Sequence, residues 1–197
     1  AINADYFDPT RSSDNYNCWP WPQGMTWIDG SDRTYRSSSC YWSADWWRSS
    51  LAISRENRAD IGRTEVRRDS PNKHNVVGGG PHFIKDGRRE WNVVDRGYDC
   101  TINDEPFARD NCPYYTNSYT NWTAAGLTQD GNTLVLIVGP SMKPENMMSR
   151  MEAEGVYNAI RFDGGGSSTL YYDGAVRFVG EGSEGRAVAD ALLVFVQ

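Results

Sequence analysis

Histidine is scarce in this 197-residue chain, which has two, His74 and His82. The four cysteines, Cys18, Cys40, Cys100 and Cys112, contain no CxxC pair. These shortages leave too few ligands at the usual spacing for a Cys/His zinc site. Neither a metal nor a cofactor is expected. Positive charge is also short. Lys and Arg total 20 against 26 Asp and Glu, a net of −6. An acidic chain is poorly matched to a polyanion, so nucleic acid is not an expected partner. The one dense charge run, RTEVRRD at residues 63–69, mixes signs and reads as a solvated face. No apolar run approaches the roughly 20 residues of a membrane span, and no secretory leader is visible. Internal repeats and low-complexity tracts are missing. The length suits one domain, residues 1–197, better than two.

Aromatics are plentiful instead, with eight Trp and eleven Tyr. Trp19, Trp21, Trp27, Trp42, Trp46 and Trp47 crowd one region. Flat rings with a polar edge stack on sugars, and they also fill cores. Residues 10–48 are rich in Ser, Asp, Asn, Pro, Trp and Cys and read as long loops with short strands. An even cysteine count at wide spacing suggests disulfides and an oxidising compartment, with an extracellular or secretory location. Three pairings are open. The sequential one, Cys18–Cys40 and Cys100–Cys112, closes two loop-rich segments and is preferred over its alternatives and over four reduced thiols. The sequon NWT makes Asn121 a candidate glycosylation site.

Periodicity predicts a mostly β chain with one clear helix, an α+β domain. Residues 1–7, 23–30, 50–57 and 59–66 read as strands, and NVVGGGPHFIKDGR at 75–88 as two strands around a Gly-Pro break. Residues 98–121 look irregular. The run NTLVLIVG at 132–139 is continuously apolar, which predicts a central strand buried on both faces. A helix follows, with Ser141 as N-cap, Pro144 in its first turn, a Met147, Met148 and Met151 stripe, and Gly155 as its stop. A strand at 157–162, a hairpin through Asp173-Gly174 and a last strand at 187–196 complete the reading.

One stretch concentrates candidate chemistry: IRFDGGGSSTLYYDG, residues 160–174. No Lys follows the glycines, so it is not a P-loop. It continues as a strand and not a helix, which removes the dinucleotide fingerprint, and it does not match the GxSxG elbow. What survives is a strand-turn-strand with a carboxylate, Asp163, at its edge. The bland alternative is a tight corner with Ser and Thr capping the turn.

These residues, with their ordered companions AINADYF, PQGMTWIDG, VVGGGPHFIKDG, TAAGLTQDGNTLVLIVGP and GRAVADALLVF, resemble the phosphodiester glycosidase domain family. The resemblance covers nearly the whole chain. It implies a mixed fold with a cleft lined by these motifs, and hydrolysis of a glycosyl bond to a phosphodiester or of a related glycan. The implied partner is a carbohydrate or glycophosphodiester. There are departures. The family usually carries Arg where Trp122 stands, often reads Gly-Glu-Arg near the end where this chain has Glu184-Gly185-Arg186, and commonly has Asn-Gly-Gly in place of Asn3-Ala4-Asp5.

The resemblance implies Asp163 as the first catalytic carboxylate, with Asp5 and Glu184 as partners by motif position. It implies substrate contacts from Asn3, His82, Trp122, Gly164, Gly165, Gly166, Ser167, Ser168 and Arg186. The second hypothesis is a non-catalytic extracellular carbohydrate-binding or self-assembling protein on the same fold, for which a homo-oligomer is the expected partner.

Overall fold

The computed structural model describes residues 1–7, 22, 24–34, 48–63, 73–96, 100–108 and 116–195. Cys18, Cys40, Cys112 and all of the clustered Trp residues except Trp27 lie outside them. Cys100 is buried and disulfide-bonded, but the two pairings expected above are not testable on the described residues.

The longest strands are those with apolar or small side chains on both faces. β12 (Thr120–Thr128) alternates Trp122 and Ala124 toward one side with Ala125 and Leu127 toward the other. It is the second strand of a five-stranded sheet. The order is β13 (Leu134–Met142), β12, β14 (Val156–Phe162), β7 (His82–Lys85) and β8 (Arg88–Arg89). One face of this sheet packs under helix α1 (Pro144–Ala153), where Met147, Met148 and Met151 meet Phe83, Trp122 and Ala159. The other face contributes Ala125, Leu127, Ile160 and Phe162 to a second core with Ile2, Leu51, Ile61 and Leu192.

That second core is closed by two further sheets. One holds β3 (Ser31–Asp32), β2 (Trp27–Ile28), β6 (Asn75–Gly78), β4 (Ser50–Ile53) and β5 (Ala59–Gly62). The other holds β16 (Ala175–Val179), β15 (Thr169–Tyr172), β1 (Ile2–Asn3) and β17 (Ala191–Leu192). Strand β1 pairs antiparallel with both neighbours, Ile2 opposite Leu170 and Asn3 opposite Ala191. A small sheet of β9 (Val93–Asp95), β10 (Cys100–Ile102) and β11 (Glu105–Ala108) stands beside them.

Several expectations need correction. The apolar run at 132–139 is not central: β13 is the edge of its sheet. Its run is apolar because Leu134, Leu136 and Val138 face one core while Val135 and Ile137 face the other. Burial of both faces leaves an edge hydrogen-bond row open all the same. Ser141 is not the helix cap. It lies within β13 at φ 45°, with its N–H donated to Asn121 Oδ1 at 3.1 Å. Lys143 takes the cap position, and Pro144 opens the helix, where its missing N–H costs nothing. Within 98–121, β10 and β11 form a hairpin through Asn103-Asp104, both at positive φ. Of the last expected strand, only Ala191–Leu192 forms among the described residues.

Candidate active site: a carboxylate cluster at the glycine turn

Three segments far apart in sequence meet at one end of β14. Phe162 ends the strand, and Asp163 follows it, its N–H donated to Ala4 O at 2.8 Å. Asn3 fastens the junction from within. Its Nδ2 donates to Asp163 O at 2.7 Å, and its Oδ1 accepts Thr169 N at 2.9 Å and Thr123 Oγ1 at 2.8 Å. At 2 % exposed, Asn3 is buried and holds the chain in place.

The turn itself is tightly built. The residue at 164 must be glycine: a Cβ there would stand 2.6 Å from Asn121 O and 2.9 Å from Arg161 Nη2. Gly165 follows at φ +59°, a left-handed conformation that favours glycine. The Gly164, Ser167 and Ser168 amides are spent within the turn, on Asp163 Oδ1, Gly164 O and Gly165 O. Ser167 and Ser168 are 0 % exposed, with Ser168 Oγ 3.1 Å from Thr123 Oγ1. Asn121 braces the same turn by donating Nδ2 to Gly165 O at 3.1 Å.

Three aspartates converge here. Asp5 is buried, 1 % exposed, with Oδ1 accepting Tyr6 N at 2.7 Å and Oδ2 accepting Gly24 N. Its N–H donates to Asp190 Oδ1 at 2.8 Å. Asp190 Oδ2 is buried without a hydrogen-bond partner among the described residues. Burial raises both carboxyls; the Asp5 charge raises Asp190 further, and the Asp163 charge raises both. Asp5 is pushed up to about 6 and Asp190 to about 8. Burial also raises Asp163, opposed by the Ser167 hydroxyl, the Gly164 amide and the Arg161 and Arg186 charges. Tyr6, buried beside them, is pushed up to about 12 by desolvation.

Two buried arginines supply cationic charge. Arg48, 4 % exposed, stacks over the Tyr6 ring at 4.6 Å and lowers Asp5 more than any other neighbour does. Arg161, 5 % exposed, stacks over Trp122 at 4.2 Å and lowers Asp163. Trp122 is itself 1 % exposed, wedged edge-on to Phe83 at 5.8 Å. It therefore presents no face to a sugar. It is the platform for Arg161, which brings cationic charge from β14 to Asp163.

The remaining candidates separate. Arg186 lies at the rim, 3.5 Å from Glu181 and acting on Asp163. Glu184 is exposed on the turn after β16, while Asp190, not singled out from the sequence, takes the place expected of it. The signal for Asp190 was a lone carboxylate inside the apolar run VADALLVF. His82 belongs to a different place, a polar cavity of about 430 Å³ lined by Ser49, Arg63, Lys85, Glu90, Asn103 and Asn158 among others. Among the described residues no set of three or more His, Cys, Asp or Glu is arranged to hold a metal ion, and no helix is long and apolar enough to cross a membrane.

Comparison with known proteins gives the family. A sequence profile described as phosphodiester glycosidase matches residues 1–195. Among solved structures, the chain is similar to the zebrafish N-acetylglucosamine-1-phosphodiester alpha-N-acetylglucosaminidase catalytic domain, auto-inhibited by its pro-peptide. That match has 18 % identity and a TM-score of 0.61, covering 90 % of this chain and 54 % of that one. A hypothetical protein from Synechocystis matches at 14 % identity and TM-score 0.59, covering 89 % and 48 %. A putative exported protein from Burkholderia pseudomallei matches at 13 % identity and TM-score 0.51, covering 95 % and 64 %. The chain thus spans about half the length of the first two. No curated protein matches it by sequence.

Proposed function

This chain belongs to the phosphodiester glycosidase family, and from that premise we propose that it hydrolyses a glycosyl bond, to a phosphodiester or within a related glycan, at the Asp5, Asp163 and Asp190 cluster. What supports the reading is the convergence of three carboxylates at one glycine turn, with Asp5 N–H donating to Asp190 Oδ1 at 2.8 Å, Asp163 N–H donating to Ala4 O at 2.8 Å, and burial raising the proton affinity of all three. A pair of acids with separated proton affinities supplies an acid and a base at one pH.

Asp190 is the proton holder. Its unbonded Oδ2 and its raised proton affinity suit it to donate to the departing oxygen as the glycosyl carbon–oxygen bond breaks. Asp5, tethered by two amides, supplies the neighbouring negative charge that keeps that proton in place. Asp163 is the carboxylate that faces the oxocarbenium-like carbon, and it takes the proton of the water whose hydroxyl ends on that carbon. A phosphate leaving group needs less help from Asp190, because its oxygen departs as a stable anion. Arg186 at the rim would pair with such a phosphate in place of Glu181. The Cys100 disulfide supports an oxidising, extracellular or secretory setting.

The test is Asp163→Asn and Asp190→Asn, assayed on aryl glycosides, hexose 1-phosphodiesters and polysaccharides. Loss of about 10²-fold or more in kcat is expected for each on the sugar with the poorer leaving group. Full activity in a folded Asp163→Asn protein overturns the assignment.

A further inference from the structure

His82, Glu105 and Glu90 form a charged cluster outside the carboxylate site, yet one short segment touches both. Glu105 is 0 % exposed at the start of β11. Its Oε2 accepts the Ser49 N–H at 2.6 Å, and its Oε1 accepts the Ser49 hydroxyl at 2.7 Å. The same Oε1 accepts the His82 N–H at 3.0 Å and meets His82 Nδ1 at 2.5 Å. His82 Nε2 meets Glu90 Oε2 at 2.8 Å. Desolvation works to lower His82, but the hydrogen bonds and charges of Glu105 and Glu90 outweigh it and hold the ring protonated more firmly than usual. With both ring nitrogens on carboxylates, neither is left to take the Ser49 proton. The Ser49, His82 and Glu105 set is therefore a clamp and not a nucleophile triad.

What the clamp holds is the residue next to Arg48. Arg48 and Ser49 are neighbours in the chain but serve opposite sides. Ser49 is gripped by Glu105, and Arg48 reaches the Tyr6 ring and Asp5. Gly80, at φ +94°, lets the pieces close up: a Cβ there would stand 2.4 Å from Glu105 Oε2, 3.2 Å from Ser49 N and 3.3 Å from Arg48 Cβ. We propose that Glu105, backed by His82, is a positioning residue for the aspartate cluster, gripping Ser49 at two atoms and so fixing where Arg48 places its charge beside Asp5. The charged and titratable groups around Asp5 are Arg48, Tyr6, Asp163 and Asp190, and those on His82 are Glu105 and Glu90, with Arg63, Lys85, Asp86 and Asp104 on the cavity wall.

The test uses the whole chain and no substrate, so it stands apart from whether a glycan is turned over. Protein labelled with ¹³C at aspartate carboxyls is titrated by NMR, and the Asp5 and Asp190 signals are followed. In Glu105→Gln, nearly the same shape without the charge, the Asp5 midpoint is expected to rise by about half a unit or more as Arg48 loses its anchor. Arg48→Gln gives the same direction and a larger rise. A folded Glu105→Gln whose titration superimposes on the parent overturns the proposal, as does an Arg48→Gln that leaves Asp5 unmoved. If Glu105→Gln does not fold, Ser49→Ala removes one of the two grips and keeps Glu105 itself. A smaller upward shift supports the proposal, and an unchanged titration overturns it.

Discussion

The backbone N–H of Asp5 donates to the Asp190 carboxylate across 185 residues of chain, at 2.8 Å. That bond ties the site's proton economy to the fold. Asp190 has a folded proton affinity raised above its ordinary value of 3.8, to about 8. A raised acid stabilises the fold when protonated: its contribution is complete below the unfolded value and is lost as pH rises through the folded one. Stability of the native protein is therefore expected to decline from about pH 4 to about pH 8. In Asp190→Asn that decline flattens. Urea unfolding at several pH values measures it, and an equally steep decline in the variant contradicts the assignment.

Gly78 makes room for Asp5. A Cβ at that position would lie 2.6 Å from Asp5 Oδ2 and 2.8 Å from Gly24 Cα. Backbone on one side and a tethered carboxylate on the other leave little to yield. Gly78→Ala is expected to cost about 1–3 kcal/mol by overpacking. It should also disturb the Asp5 titration, which separates it from a substitution that only loosens the core.

Trp122 carries Arg161. Replacing it by Phe keeps a ring under the guanidinium and abandons no hydrogen bond, because Trp122 Nε1 is buried without a partner among the described residues. Trp122→Phe should cost about 1–2 kcal/mol, and Trp122→Leu, which removes the ring, about 2–4 kcal/mol. Only the Leu variant is expected to raise the Asp163 midpoint by displacing Arg161. Equal titrations in the two variants would count against the platform role.

Met151 sits at 0 % exposure on the helix side of the sheet, away from the aspartates. Met151→Ala should lose about 2–5 kcal/mol of stability and leave the carboxyl titrations alone. Thermal unfolding alongside the same NMR titration separates the two effects.

The sequence was most legible where a signal is local. Asp-Gly at 86–87 and 173–174 marks hairpins that form, and the Met stripe marks a buried helix face. Asp163 and Asp5 could be placed at one site because their motifs resembled a family in order. Asp190 was hidden because its carboxylate matters only through pairing of β1 with β17, a contact no periodicity encodes. Trp122 misled for a related reason. Alternation places it opposite Thr123, but not which face of β12 turns to the helix. His82 sits within a readable motif, yet its partner Glu105 comes from a hairpin that read as irregular. The continuous apolar run of β13 told correctly of two covered faces and could not tell of an open edge.

Strand β1 is held between β15 and β17. Residues 1–5 therefore cannot take up their final positions until residues 163–192 are in place. Contacts of such separation form late and close the largest loops in the chain. The acid cluster is thus among the last parts to assemble. Fraying of either strand opens it. Hydrogen exchange at Asp5 and Leu192 should accordingly report the fraction of molecules with an intact site, while exchange in β12 and β14 reports the fold.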